Sequence, residues 1–132
     1  MKRFLFSVRP YSLDLALLIL RVGSGAAMLT HGWPKLQRAV NGNFKFGDPL
    51  GIGNELSLGL TVFAEVFCSV LLIIGLMTRG ALIPLIIAMG VALFIVHGSQ
   101  SFGKQELALM YLLIFVGLFL TGPGRFSADN SI

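Results

Sequence analysis

The chain has 132 residues, of which 55% are hydrophobic and 12% charged, with a formal net charge of +4. Soluble domains carry about 25% charged residues, so this composition excludes an ordinary water-soluble enzyme or binding domain. The basic residues are spread along loops and helix ends, which is typical of anchoring at a membrane surface and not of a nucleic-acid-binding patch. The sequence therefore predicts an integral membrane protein that contacts the lipid bilayer and has no nucleic acid partner.

Four apolar blocks account for this composition. A helix of about 20 apolar residues spans a bilayer. The first two blocks reach this length, whereas the last two have roughly 15 to 17 residues and would stand upright or use their flanks. Short connections favour an all-α, up-down-up-down four-helix bundle that forms a single transmembrane domain over residues 1–132. The predicted spans are Leu13–Trp33, Ser57–Met77, Gly80–Val96 and Leu107–Thr121.

The first predicted helix carries a charge inside the membrane. Ser12 should cap this helix and Pro34 should end or kink it. Arg21 lies within the span, where a charge costs several kcal/mol unless it has a partner or a function. A helical wheel places one basic face along this helix, with small residues between its two cations. Its members are Arg21, Gly25, Met28, Gly32 and Lys35.

The connection between the first two helices is the only long one. It runs from Pro34 to Glu55 and contains several glycine, asparagine and proline turn signals together with phenylalanines. This pattern predicts an interfacial loop.

The second predicted helix carries Glu65 within the membrane. Counted from the predicted helix ends, Glu65 and Arg21 each lie about eight residues deep from opposite sides, so their depths differ by only about 6 Å. This count predicts an Arg21–Glu65 ion pair. Two interpretations stay open: a clasp that only neutralises two buried charges, or a ligand or proton site at mid-membrane.

A second polar cluster is predicted at the outer end of the bundle. It contains His31 and Lys35 on the first helix, His97 on the third, Glu106 at the start of the fourth, and Tyr111 slightly deeper. A histidine or tyrosine can hydrogen-bond a quinone carbonyl and relay a proton. The alternative is that these residues contact water and lipid headgroups. The two histidines also permit a haem with two axial ligands, although nothing else supports haem.

Cysteine and histidine usage limits the other chemistry. Cys68 is the single cysteine, so no disulfide forms within the chain and thiol–disulfide exchange is excluded. No spacing typical of a zinc or iron–sulfur centre is present, and no metal site is predicted. At the inner end, Arg79, Arg125 and Asp129 are expected to mark topology and contact headgroups.

The distribution of basic residues gives an orientation. Placing both termini in the cytoplasm satisfies the positive-inside rule by a small margin. The cytoplasmic side would then carry Lys2, Arg3, Arg9, Arg79 and Arg125, and the outside Lys35, Arg38, Lys45 and Lys104.

Four stretches of the sequence resemble the DoxX family, small four-helix membrane proteins of bacteria. They are RVGSGAAMLTHGWPKL (21–36), AEVFCSVLLIIGLMTRGA (64–81), QELALMYLL (105–113) and GPGRFSAD (122–129). Together they include parts of all four predicted helices. By this resemblance the family-pattern positions are Arg21, His31, Gly32, Lys35, Glu65, Gly75, Arg79, Glu106, Gly122, Pro123, Gly124, Ser127 and Asp129.

The resemblance implies a multi-pass protein of the bacterial cytoplasmic membrane that is linked to quinone or redox chemistry. The family takes its name from a subunit associated with a terminal quinol oxidase and with thiosulfate:quinone oxidoreduction. The cofactor stays open, with a quinone as the candidate that the resemblance suggests, and redox-enzyme subunits or further copies of the chain are the candidate partners. Because most members lack an assigned reaction, catalysis does not follow. Two alternatives stay open: a non-catalytic assembly or scaffold subunit, and a small oligomeric transporter.

Overall fold

The computed structural model describes residues 5–43, 48, 51–96 and 101–131, and within them the chain forms four main helices and no strand. Helix α1 covers Leu13–Val40 and α2 covers Asn54–Ile74. Helix α3 covers Thr78–Val91 and continues as a π-helical turn, Ala92–Val96, and α4 covers Phe102–Thr121. The predicted all-α fold with four helices is confirmed.

The surface and length of these helices suit a bilayer. Three helical segments are long and apolar enough to cross a membrane, and α4 contains a shorter apolar stretch. Large apolar side chains lie exposed on the outside of every helix, among them Ile19, Phe67, Ile87 and Leu113. Exposure of this much apolar surface to water is unfavourable, whereas lipid acyl chains solvate it.

The boundaries of α1, α2 and α4 differ from the predicted spans. Helix α1 continues through Pro34 to Val40, because a transmembrane helix tolerates an internal proline when neighbouring groups satisfy the freed carbonyl. Helix α2 ends at Ile74, since Gly75 adopts a left-handed conformation that terminates it. Helix α4 begins at Phe102, ahead of the predicted Leu107.

Helices α1 and α2 pack antiparallel with close backbone contact. A Cβ atom on Gly32 would lie 2.8 Å from the Cβ and 2.9 Å from the carbonyl oxygen of Glu65. One on Gly25 would lie 3.2 Å from the Ser69 carbonyl oxygen. These two contacts fix the register of the helix pair. Helix α1 packs mainly against α2, and α4 mainly against α3.

At each end of the helix bundle, an aspartate side chain accepts hydrogen bonds from backbone N–H groups. At the end that carries the α1–α2 connection, called the loop end, Asp48 accepts hydrogen bonds from the N–H groups of Ile52 and Gly53 and from the Ser57 hydroxyl. The bond from Gly53 contributes most to holding the pKa of Asp48 below its usual range. The start of α2 is thereby fixed. The predicted long loop is shorter than expected, and its residues 44–47 and 49–50 lie outside the described residues.

At the opposite end, called the tail end, residues 122–131 fold back across the helices and form the C-terminal segment. Gly122 and Gly124 both have φ of +83°, which favours glycine, and they turn the chain after α4. The N–H groups of Ala128 and Asp129 then donate to the carbonyls of Ile74 and Gly75 at the end of α2.

Candidate functional site

Arg21 binds the C-terminal segment. Its side chain is 1% exposed, and its two terminal nitrogens donate to the carbonyl oxygens of Pro123 and Phe126, each at 2.7 Å. The predicted Arg21–Glu65 ion pair is therefore wrong. The partners of the arginine are backbone carbonyls of the C-terminal segment.

The error in the predicted ion pair came from the register between α1 and α2. Gly32 is level with Glu65, and the eleven residues from Arg21 to Gly32 correspond to about 16 Å along a helix. Arg21 is instead level with Gly75, where α2 ends, so that a Cβ on Gly75 would lie 3.1 Å from the guanidinium carbon. Helix α1 extends beyond α2 at the tail end, and a count from the predicted helix ends could not include this offset.

The C-terminal segment also caps α3. The Asp129 carboxylate accepts hydrogen bonds from the N–H groups of Met77, at 2.7 Å, and Thr78, at 2.9 Å. Met77 has a φ of 50°, a left-handed conformation that is uncommon for a residue with a side chain. Desolvation of the Asp129 carboxyl raises its pKa, but hydrogen bonds from Thr78 and Met77 and the nearby guanidinium outweigh it, so the pKa of Asp129 lies below its ordinary value.

Most family-pattern positions in the predicted structural set lie at this tail end. The Arg79 Nε donates to the Phe119 carbonyl at 2.9 Å, and a Cβ on Gly75 would lie 2.5 Å from the Cβ of Ser127. Ser127 in turn donates to the Gly124 carbonyl. These contacts join the ends of α1, α2, α3 and α4 into one hydrogen-bonded cluster. Its family-pattern members are Gly75, Arg79, Gly122, Pro123, Gly124, Ser127 and Asp129.

Glu65 pairs with Lys35. The Lys35 ammonium donates to both carboxylate oxygens of Glu65, at 2.9 and 2.8 Å. The glutamate side chain is 3% exposed and the lysine side chain 26%. Lys35 is three residues past Gly32 on the same face of α1, as the helical wheel predicted, and the contact between Gly32 and Glu65 brings the two chains within reach.

A cavity of about 180 Å³ lies beside this ion pair. All four helices contribute to its walls, and the polar groups His31, Lys35, Glu65 and Tyr111 converge on it. The apolar wall is formed by Met28, Met89, Ala92, Leu107 and Ala108.

The polar groups of the cavity are ordered by aromatic contacts. The rings of His31 and Tyr111 meet edge to face with centroids 5.8 Å apart, and Tyr111 also stacks on Phe115 at 5.8 Å. Phe115 is fully buried, so it fixes the tyrosine ring against the core. The imidazole and the phenol thus stand next to the ion pair in a mostly apolar chamber.

Two π-helical turns border the cavity. Glu65 lies in the turn Phe63–Cys68 within α2, and Ala92 begins the turn at the end of α3. A π-helical turn shifts the side chains that follow it relative to a regular helix, and such turns are frequent at functional sites. Here the first turn presents Glu65 to Lys35.

The structure brings together His31, Lys35, Glu65 and Tyr111 from the predicted candidate residues. Glu106 is exposed on α4 and does not line the cavity, because it lies on a different face of that helix from Ala108 and Tyr111. Position 97, the second predicted histidine, lies outside the described residues. Within the described part of the chain, no group of three or more His, Cys, Asp or Glu side chains is arranged to hold a metal ion.

Sequence reasoning missed the Lys35–Glu65 pair and the apolar walls. The signal for the pair was present: Gly25 and Gly32 mark the line of closest approach on α1, and Lys35 follows one turn later on that face. Met89 and Ala92 carried no comparable signal, since apolar residues on a membrane helix give no indication of whether they face lipid, core or cavity.

Taken together, the helices and the cavity define a multi-helix membrane protein with a small, mostly apolar cavity between its helices that carries a few polar groups. The sequence pattern of the DoxX family matches residues 16–98. The chain belongs to the DoxX family.

Two bacterial proteins are similar to the chain over most of its length. An uncharacterized protein of Haemophilus influenzae is 32% identical over 92% of this chain and 91% of its own length. An uncharacterized membrane protein of Mycobacterium tuberculosis is 31% identical over 67% of this chain and 69% of its own length. No solved structure matches the chain significantly.

Proposed function

We propose that this protein is a redox-linked membrane subunit that binds the ring of a quinone in the cavity beside Lys35 and Glu65. The observation that carries the proposal is the convergence of His31, Tyr111 and the ion pair on one chamber with apolar walls. Ligand sites typically combine such apolar walls with a few polar groups that orient the ligand.

The size of the cavity suits one substituted ring. A cavity of about 150 Å³ in a protein core binds benzene, and this one measures about 180 Å³. The ammonium of Lys35 and the hydroxyl of Tyr111 can each donate a hydrogen bond to a quinone carbonyl oxygen. Because the ion pair has no net charge, the site favours a neutral ring over an ion.

The ion pair and His31 also suit the chemistry of a quinone. Reduction of a quinone requires protons as well as electrons, and an imidazole and a carboxylate are both groups that can hold and transfer protons. In this proposal the electron donor and acceptor belong to partner subunits. We place the protein in the bacterial cytoplasmic membrane, and the distribution of basic residues favours both termini in the cytoplasm.

A scaffold subunit is the second candidate, because Lys35 already engages both oxygens of Glu65. In that case the pair only holds α1 against α2, and partner binding is the function. Purification in a mild detergent separates the candidates: a quinone carried by the isolated protein supports the first, and a stable partner complex without quinone supports the second.

Binding to the purified protein in lipid nanodiscs tests the proposal directly. A short-chain quinone should bind the native protein, and Tyr111→Phe should weaken binding about tenfold through loss of one hydrogen bond. Tyr11→Phe is the matched control, since Tyr11 is 80% exposed ahead of α1. Equal affinity in all three proteins, or no binding to the native protein, would refute the proposal.

A further inference from the structure

The residues that line the cavity differ in how exposed they are to the surroundings of the protein. The floor of the cavity is buried, with Met28, Tyr111 and Ala108 all shielded from solvent. Two wall residues are exposed: His31 on α1 and Leu107 on α4, the latter 54% exposed. The opening of the chamber is therefore bounded by one residue from each of these two helices.

These exposed wall residues lie at the weakest seam of the helix bundle. Helix α1 packs mainly on α2 and helix α4 mainly on α3, so contact between α1 and α4 is thin. Few contacts besides the edge-to-face pair of His31 and Tyr111 hold α1 to α4. The seam is thus the side on which a ligand could pass.

The seam lies beside the middle of α2. Gly32 is level with Glu65, and Glu65 is eleven residues from Asn54 and nine from Ile74, or about 16 Å and 14 Å from the two ends of α2. His31, beside Gly32, is therefore level with the middle of α2, although Leu107 is only five residues, or about 8 Å, from the start of α4. Next to Leu107 on the same helix face, Met110 is 50% exposed and apolar. The α4 side of the opening is therefore apolar and suits lipid acyl chains, whereas the α1 side carries the His31 imidazole.

We infer that the cavity opens sideways into the bilayer through a portal between His31 and Leu107, by which a membrane-dissolved ligand enters while its hydrocarbon tail stays outside. The inference takes the identity of the ligand, a quinone ring, from the proposed function and adds the route by which the ligand enters the cavity. The chamber of about 180 Å³ has room for a ring but not for an isoprenoid tail as well. A ligand that carries such a tail must leave it in the seam.

This arrangement has a consequence for specificity. Apolar protein surface and acyl chains solvate a hydrocarbon tail about equally well, so the tail contributes little to binding from within the bilayer. Affinities of quinones with one or several isoprene units, referred to their concentration in the membrane, should differ by less than about threefold. Ring substituents that meet the cavity walls should matter more.

Thiol labelling in liposomes tests the portal. The variants are Leu107→Cys at the rim and Leu113→Cys as the matched control, since Leu113 is 58% exposed on the same helix but about a third of a turn or more away from the cavity-facing side. Met110→Cys is a second rim variant if Leu107→Cys does not fold. The native Cys68 is 1% exposed and gives the background.

The expected result has two parts. A lipid-dissolved maleimide labels both introduced thiols, and a sulfonated, membrane-impermeant maleimide labels neither. A short-chain quinone at about ten times its Kd slows labelling at position 107 about tenfold, because about one site in ten is then free, and leaves position 113 unchanged.

Other results overturn the portal. Rapid labelling of position 107 by the sulfonated reagent would show that the chamber opens to water. Quinone that binds in equilibrium dialysis but protects neither thiol would show that it enters elsewhere. Absence of quinone binding would instead refute the proposed ligand, while the two maleimides would still decide whether the opening faces lipid.

Discussion

Lys35 and Glu65 form an ion pair in which one ammonium donates to both oxygens of a nearly buried carboxylate, at 2.9 and 2.8 Å. The pair joins α1 to α2 at mid-membrane depth and forms one wall of the cavity. It satisfies a charge that would otherwise cost several kcal/mol in lipid. The same contact therefore stabilises the helix pair and supplies the polar groups of the candidate site.

Removal of one partner of this pair should destabilise the protein more than removal of both. Glu65→Gln leaves the Lys35 ammonium partly buried without its counter-charge and should cost about 3 kcal/mol of unfolding free energy. The double variant Lys35→Met with Glu65→Met should recover much of that loss. Thermal unfolding in detergent measures both, with Glu106→Gln, an exposed carboxylate on α4, as the control. Additive losses in the double variant would contradict the pairing.

A methyl group at position 32 should be incompatible with the close packing of α1 against α2. Gly32→Ala places a Cβ 2.8 Å from the Cβ of Glu65, so the helices must separate, at a cost of about 1–3 kcal/mol. The control is Gly23→Ala on the same helix, where no atom lies within 4 Å of the new Cβ. Unfolding temperatures of the two variants provide the measurement. Equal stability would show that Gly32 does not set the helix spacing.

Arg21 should hold the C-terminal segment and not the ligand. Arg21→Met removes two charge-assisted hydrogen bonds to backbone carbonyls, each worth about 1.5–3 kcal/mol. We expect faster amide hydrogen exchange and proteolysis within residues 122–131. Quinone affinity should change little, because the arginine lies about 16 Å from Glu65 along the helix. Loss of quinone binding with an intact C-terminal segment would place Arg21 in the ligand site instead.

Acid should weaken the two aspartate caps. The folded-state pKa values of Asp129 and Asp48 lie below their ordinary values. The stabilisation is therefore complete above the unfolded pKa of about 4 and is lost as the pH falls through the folded value. Asp129→Asn and Asp48→Asn should each flatten the acid limb of a plot of unfolding temperature against pH. Because the caps lie at opposite ends, their effects should add; an unchanged acid limb in both variants would contradict the assignment.

The fold could be predicted from the sequence further than the site could. Apolar block length identified four helices, and the wheel correctly placed Gly32 and Lys35 on one face of α1. The Arg21–Glu65 pairing failed because depth counted from helix ends assumes that neighbouring helices start level. Helix α1 extends beyond α2 at the tail end, an offset that depends on tertiary packing at Gly25 and Gly32.

The role of the C-terminal segment could not be predicted for a related reason. Asp129 caps α3 across more than 50 residues of sequence, and a cap between distant segments leaves no local pattern. The glycines at 122 and 124 did indicate a turn after α4, but they gave no indication of where the chain would go next. Only the folded arrangement shows that Arg21 meets the carbonyls of Pro123 and Phe126.

Photolabelling with an azido-quinone tests most directly whether the cavity beside Lys35 and Glu65 binds a quinone ring. The protein is irradiated in lipid nanodiscs, digested, and mapped by mass spectrometry with and without excess unlabelled short-chain quinone. Competed adducts are expected on the two cavity segments, Met28–Lys35 of α1 and Leu107–Tyr111 of α4. Competed adducts confined to the tail end, or labelling that excess quinone does not reduce, would contradict it.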